Sequence, residues 1–272
     1  MRILCILLIV ALVPVAGCVS STDAPAPETI PLGDSAPVKG AGRFLAGAYS
    51  AKECVEGGII LLLPPAQAQT LLPDGFAPRD ASGLFGLPLA SGMAAIYLNA
   101  QGCISSNATA GAMREAQVNV YVQPPIPGLA AAFDFYELTF VSPNPEVVDH
   151  FASVAWLGDV GTVEVTLQAL PSGAAVQGSG SDSEGVLFDF DIVAPAENPL
   201  DGIGRFWRVT ESGLPYAEHR LTTTLAVGSV ECTLRPGSPW ANAYQGTKCR
   251  PGESAGLLLL PFDYEATFHI AP

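Results

Sequence analysis

Apolar and polar side chains alternate along much of this chain with a period of two, the signature of strands that bury one face. Residues 118–122 (VNVYV), 133–141, 162–167 and 186–192 are short runs rich in β-branched and aromatic residues, and they predict strands. Further strands are expected at 94–98, 205–210, 220–227, 230–234 and 264–270. Two unbroken apolar runs, 59–63 and 257–260, are strand-sized and far short of the roughly 20 residues that cross a bilayer as a helix. Pro124-Pro125, Pro171-Ser172-Gly173 and the 178–184 stretch GSGSDSE read as turns, the last as a flexible hairpin tip.

Helical spacing interrupts the alternation twice. Residues 64–72 (PPAQAQTLL) predict a short helix that Pro73-Asp74-Gly75 closes. At 144–156, Asn144 suits the cap, Pro145 the first helical position and Glu146 the positive end of the helix dipole. Val147, Val148, Phe151, Val154, Ala155 and Leu157 then form an apolar stripe, with His150 on the exposed side. No internal repeat is visible. The pattern predicts a mainly β, α+β fold with two short helices in a single domain, residues 43–272.

The first 17 residues depart from this pattern. Arg2, an apolar run over 3–13 and small residues before Cys18 have the order of a signal peptide. Val15-Ala16-Gly17-Cys18 resembles the lipobox of prokaryotic lipoproteins, which implies lipidation of Cys18 and a membrane as partner. Ordinary cleavage near Ala16 is the alternative. Residues 18–42, rich in Pro, Ala, Ser and Gly without apolar periodicity, read as an unfolded tether. The expected location is extracytoplasmic, on the surface of a membrane or envelope.

Charge and cysteine usage narrow the picture. The formal charge is −14 with 12 Lys and Arg in all, so the basic patches that nucleic acid requires are missing and it is not an expected partner. With Cys5 in the leader and Cys18 lipidated, Cys54, Cys103, Cys232 and Cys249 remain, an even number that in an exported chain implies two disulfides. Of three possible pairings, the sequence neighbours Cys54–Cys103 and Cys232–Cys249 are favoured. No CxxC occurs and His150, His219 and His269 are scattered, so no metal site and no cofactor are expected.

The order strand, short helix, Leu71-Leu72-Pro73-Asp74-Gly75-Phe76, strand at 94–98, then Arg114-Glu115 opening the run to Val122, followed by the mid-chain helix, resembles the acetoacetate decarboxylase-like superfamily. The likeness spans about residues 59–169. It implies a curved antiparallel sheet closing into a cone-like barrel around a small pocket. Members of that family that decarboxylate use a lysine of depressed pKa. Here the lysines are Lys39, Lys52 and Lys248, one in the tether and two beside cysteines in expected loops, with no Lys-Lys pair. Schiff-base chemistry is therefore not expected.

Candidate chemistry gathers at Arg114 and Glu115, where a barrel pocket would make Glu115 a base and let Arg114 or Arg79 hold a ligand carboxylate. Adjacent strand residues face opposite sides, so a solvated edge is the competing reading. Glu137 lies on an apolar strand, where an inward carboxylate needs a partner. The three histidines read as structural, with His219 in a polar turn, and Trp207 and Trp240 as packing residues. The expectation is a non-catalytic barrel for a small apolar or carboxylate-bearing ligand. The alternative is an enzyme of the same fold with lysine-independent chemistry.

Overall fold

The apolar kernels form strands that extend well beyond them. The computed structural model describes residues 29–30, 48–109, 111–126, 131–153, 156, 158–210 and 214–270. The expected leader, the expected lipidation site Cys18 and most of the expected tether lie outside the described residues. In chain order the elements are β1 (Thr29–Ile30), β2 (Ala48–Leu63), α1 (Pro65–Gln69), β3 (Ala94–Ser106), β4 (Met113–Tyr121), β5 (Phe133–Ser142) and α2 (Pro145–Ser153). They continue as β6 (Asp159–Val160), β7 (Thr162–Leu170), β8 (Gly173–Asp182), β9 (Gly185–Trp207), β10 (Pro215–Leu234), α3 (Pro239–Tyr244) and β11 (Ser254–Ile270).

All strands join one sheet in the order β1-β7-β8-β9-β10-β11-β2-β3-β4-β5-β6, and a second pairing between β5 and β9 closes seven of them, β9-β10-β11-β2-β3-β4-β5, into a barrel. The closing seam is parallel and short, residues 133–136 against 204–207. The other ring pairings are antiparallel, as expected for a meander joined largely by hairpins. β7 and β8 continue from β9 outside the ring and fold back over the barrel wall.

That fold-back gives the barrel two apolar layers. Inside, Ile60, Leu62, Tyr97, Phe135, Leu257 and Leu259 pack together. Outside, Ile59, Leu61, Ile96 and Val118 pack against Val163, Val165, Val176 and Phe190 of the covering strands. Strands buried on both faces need apolar residues at every position, which accounts for the unbroken runs at 59–63 and 257–260. Among the described residues no helix is long and apolar enough to cross a membrane.

Several expectations are corrected. The runs at 220–227 and 230–234 belong to one continuous strand, β10, and 186–192 and 205–207 both lie in β9. Gly178 to Asp182 are strand, and only Ser183 and Glu184 form the turn. Glycine is required at 178 because a Cβ there would stand 2.3 Å from Cζ of Phe190. A third helix, α3, follows Ser238, whose Oγ accepts from the backbone N–H of Ala241 at 3.2 Å. α2 is described over Pro145–Ser153, and Val154, Ala155 and Leu157 of the expected stripe lie outside the described residues. His150 is buried against Tyr49 and Phe268, not exposed. Lys52 sits in β2, not in a loop. Thr29–Ile30, within the expected tether, pairs with Leu167 and Gln168 of β7.

Both favoured disulfides are present. Cys54 and Cys103 are directly opposed on β2 and β3, and Cys232–Cys249 spans 17 residues around α3. Cutting the second, as Cys232→Ala with Cys249→Ala, is expected to lower stability by about 3 kcal/mol through loop entropy restored to the unfolded chain. A urea midpoint unchanged from that of the parent would contradict this.

Candidate functional site

The pleat sends alternate residues of the ring strands inward, and an unusual number of these are polar. β2 contributes Glu56, β3 Tyr97, Asn99 and Gln101, and β4 Glu115, Gln117 and Asn119, all buried. The register places them side by side, with Glu56 opposite Gln101, which is opposite Glu115. β5 adds Glu137, opposite Asn119 across a bulge.

A buried polar group without a partner costs about 1–3 kcal/mol, and most of these groups are bonded to one another. Tyr97 Oη donates a hydrogen bond to Glu56 Oε1. Asn119 Nδ2 donates to Asn99 Oδ1 at 3.2 Å and Gln117 Oε1 at 3.3 Å, and Gln117 Nε2 donates to Glu115 Oε1 at 3.4 Å. Tyr264 of β11 donates to the same Glu115 oxygen at 3.4 Å. Glu115 Oε2 is buried without a protein hydrogen-bond partner among the described residues. Glu137 is held differently, by Arg208 at 2.7 Å and by the indole N–H of Trp156 at 2.8 Å.

Burial shapes the acid–base character of this network. Desolvation, reinforced by the charges of Glu137 and Glu56, lifts Glu115 to about 8. Desolvation lifts Glu56 to about 7 against the opposing hydrogen bonds of Tyr97 and Asn99. Burial raises Glu137 as well, with Arg208 pulling the other way. Tyr97→Phe removes a donor that stabilises the Glu56 carboxylate, so Glu56 is expected to titrate still higher. Carboxyl-carbon NMR would show this, and a lower value would refute the bond's assigned role.

Beside the network lies a cavity of about 40 Å³, into which Glu56, Tyr97, Tyr264 and His219 project. The rest of its wall is mostly aromatic, interrupted by Gln101, Gly204 and Leu259. Phe85 meets Phe133 at 4.7 Å, and Phe135 lies 5.4 Å from Phe206 and 5.6 Å from Tyr97. His219 stacks on Tyr264 at 5.5 Å and contacts Phe206 at 4.6 Å, and burial lowers its pKa to about 4. Its neutral imidazole is therefore part of the wall.

Of the four sequence candidates, the barrel gathers Glu115 and Glu137 and leaves both arginines out. Arg114 follows the outward row of Val55 and Gly102, and its backbone N–H donates to Asn144 Oδ1 at 3.4 Å. Arg79 lies near Asp134, 3.9 Å away, over the ring of Tyr121. Neither lines the cavity. Sequence reasoning missed Glu56, Tyr97, Arg208, Tyr264 and the inward placement of His219, which lies in β10 and not in a turn. Lys52 and Lys248 are exposed and Lys39 lies outside the described residues, so among those described no lysine enters the barrel. Nor is any group of three or more His, Cys, Asp or Glu among them placed to hold a metal ion.

No family model matches the chain, and no curated protein matches it. Solved structures do. Acetoacetate decarboxylase from Legionella pneumophila superposes with a TM-score of 0.57 at 13% identity, covering 85% of this chain and 92% of that one. The enduracididine biosynthesis enzyme MppR, complexed with the condensation product of pyruvate and imidazole 4-carboxaldehyde, gives 0.53 at 12%, covering 87% and 96%. An acetoacetate decarboxylase-like enzyme from Sphingomonas wittichii RW1 gives 0.51 at 13%, covering 84% and 92%. At such identities the likeness is one of architecture, and this chain has the acetoacetate decarboxylase-like fold.

Proposed function

We propose that the barrel interior is a binding site for a small molecule, held without covalent chemistry, in a protein exported and anchored to a membrane through lipid on Cys18. The observation that carries the binding reading is an aromatic-walled cavity opening onto the carboxyl network of Glu56 and Glu115. Among the described residues it offers no amine nucleophile to a carbonyl. A ligand carboxylate is disfavoured, because the lining supplies an acid and no arginine. A thermal-shift screen of small ketones, alcohols, acids and amines tests the reading, and failure of every class to stabilise the protein would end it.

A second reading is favoured by Glu115 and Glu56, whose pKa values of about 8 and 7 suit proton transfer near neutrality. Any hit from the screen should be followed for turnover in the parent and in Glu115→Gln. Chemical change that the substitution abolishes identifies an acid–base enzyme, and a ligand that persists unchanged identifies a binder. The address rests on the leader and on two disulfides compatible with oxidising surroundings. Intact mass of the protein from its native membrane should show diacylglycerol on Cys18, and an unmodified amino terminus elsewhere contradicts the anchor.

A further inference from the structure

We infer that the ligand is a small protonated amine, drawn in through an acidic mouth and seated in the aromatic box with Glu56 as its counter-ion. This rests on the binding reading above and goes further in naming the charge and size of the ligand.

Charge balance points first to a cation. Three glutamates, Glu56, Glu115 and Glu137, face one interior, and Arg208 is committed to Glu137 at 2.7 Å. Among the described residues no lysine or arginine lines the cavity. A carboxylate in such a place is most stable beside a positive charge, and the lining supplies none of its own. An ammonium group provides both the charge and N–H donors.

The walls suit the same ligand. Ring faces attract cations by roughly 0.5–2 kcal/mol each, more as water is removed, and Tyr97, Phe135, Phe206, Phe262 and Tyr264 surround the space beside Glu56. The volume of about 40 Å³ is an order of magnitude below the roughly 300–1,000 Å³ of sites for drug-sized molecules. It fits ammonium or a methylammonium head and excludes a larger group unless the rings move.

The approach carries the same sign. An open depression of about 740 Å³ shares Phe262 with the cavity and is edged by Glu53, Asp201 and Asp263 against a single arginine, Arg220. Gly202 lines the depression and Gly204, two residues along the same face of β9, lines the cavity. Glu53 holds φ at 50°, a conformation costly for a residue with a Cβ, and its backbone N–H donates to Asp263 Oδ1 at 2.9 Å. That bond holds the Asp263 carboxylate at the mouth beside the backbone of Glu53. Acidic clefts with apolar walls concentrate cations and accelerate their capture.

Occupancy is coupled to protons. Glu56 is faced by Tyr97 and Asn99 from β3, by Glu115 from β4, and by Tyr264 and neutral His219 from β11 and β10. Its pKa of about 7 when the cavity is empty means that seating a cation below neutrality expels a proton from Glu56.

The test is isothermal titration of the purified chain with methylammonium chloride and ammonium chloride. Potassium chloride, ethanol and sodium acetate serve as charge, shape and acid controls. Methylammonium is expected to bind saturably, with an enthalpy at pH 6.5 that varies with the ionisation heat of the buffer. Glu56→Gln should weaken it by roughly ten- to a hundredfold, the loss of one charge-assisted hydrogen bond. Should that variant fail to fold, Asp201→Asn with Asp263→Asn at the exposed mouth is expected to weaken binding a few-fold and flatten its salt dependence. Binding of ethanol or acetate with none of the amines overturns the inference and leaves the binding reading standing. Potassium matching methylammonium overturns it as well, and silence from every probe overturns it while leaving the binding reading to the wider thermal-shift screen.

Discussion

Glu115→Gln raises the melting temperature at pH 8 and above and leaves it nearly unchanged at pH 4. The carboxyl ordinarily titrates near 4.5 and in the folded barrel near 8, so between those values the folded state binds a proton that the unfolded chain releases. Stability attributable to this group is therefore complete below pH 4.5, declines as pH rises, and is gone once Glu115 ionises through about 8. At about 1.4 kcal/mol per factor of ten in proton affinity, the ceiling is on the order of 5 kcal/mol. For a chain of this size that corresponds to roughly 10 °C or more. Glutamine keeps the oxygen that accepts from Gln117 and Tyr264 and cannot ionise. Melting curves from pH 4 to 9 for both proteins decide the matter, and a Glu115→Gln curve that falls as steeply as the parent's would show that Glu115 is not the group being forced to ionise.

Much of the barrel was legible in the chain because burial on both faces leaves a coarse mark. The runs at 59–63 and 257–260 are apolar at every position because one face meets the barrel interior and the other meets Phe190 and its neighbours. Strand ends were less legible. Residues 48–58 carry Lys52, Glu53 and four glycine or alanine positions, yet they are strand because β3 and β11 pair with them. α3 was missed because six residues cannot show a helical stripe, although Ser238-Pro239 is a capping pair.

The site was half legible. Glu115 and Glu137 were singled out as carboxylates on apolar strands, and both are inward. Arg114 was placed with Glu115 by adjacency in sequence, whereas a period of two separates them across the wall. The missing partner was recoverable from the cysteines. Once Cys54 is set opposite Cys103, counting back along antiparallel strands puts Glu56 opposite Gln101 and Ile60 opposite Tyr97, with Glu56 on the face of Cys54. Arg208 and Tyr264 carry no such signal, since only closure of the ring and the bulges of β11 bring them to the interior.

Trp207→Ala is expected to cost about 3–5 kcal/mol, the range for removing a large buried aromatic, and to do so by opening the barrel at one place. The β5–β9 seam is the shortest pairing of the ring, confined to residues 133–136 and 204–207. It is reinforced on its outer face by Asp134, wholly buried, whose Oδ1 accepts from the indole N–H of Trp207 at 3.0 Å and whose Oδ2 accepts from the backbone N–H of Ala131 at 2.9 Å. Trp207→Phe keeps most of the packing and deletes that donor, and should cost about 1–3 kcal/mol. Because the strands alternate, the inward neighbours of this clamp are Phe133, Phe135 and Phe206, three walls of the cavity. Loss of the clamp should therefore weaken ligand binding in a protein whose Glu56 and Glu115 are untouched. Hydrogen exchange reads the seam directly. Amides of β5 should lose protection in Trp207→Phe while those pairing β2 with β3 keep theirs, and equal loss in both places would mean that Trp207 supports the whole core and not the closure.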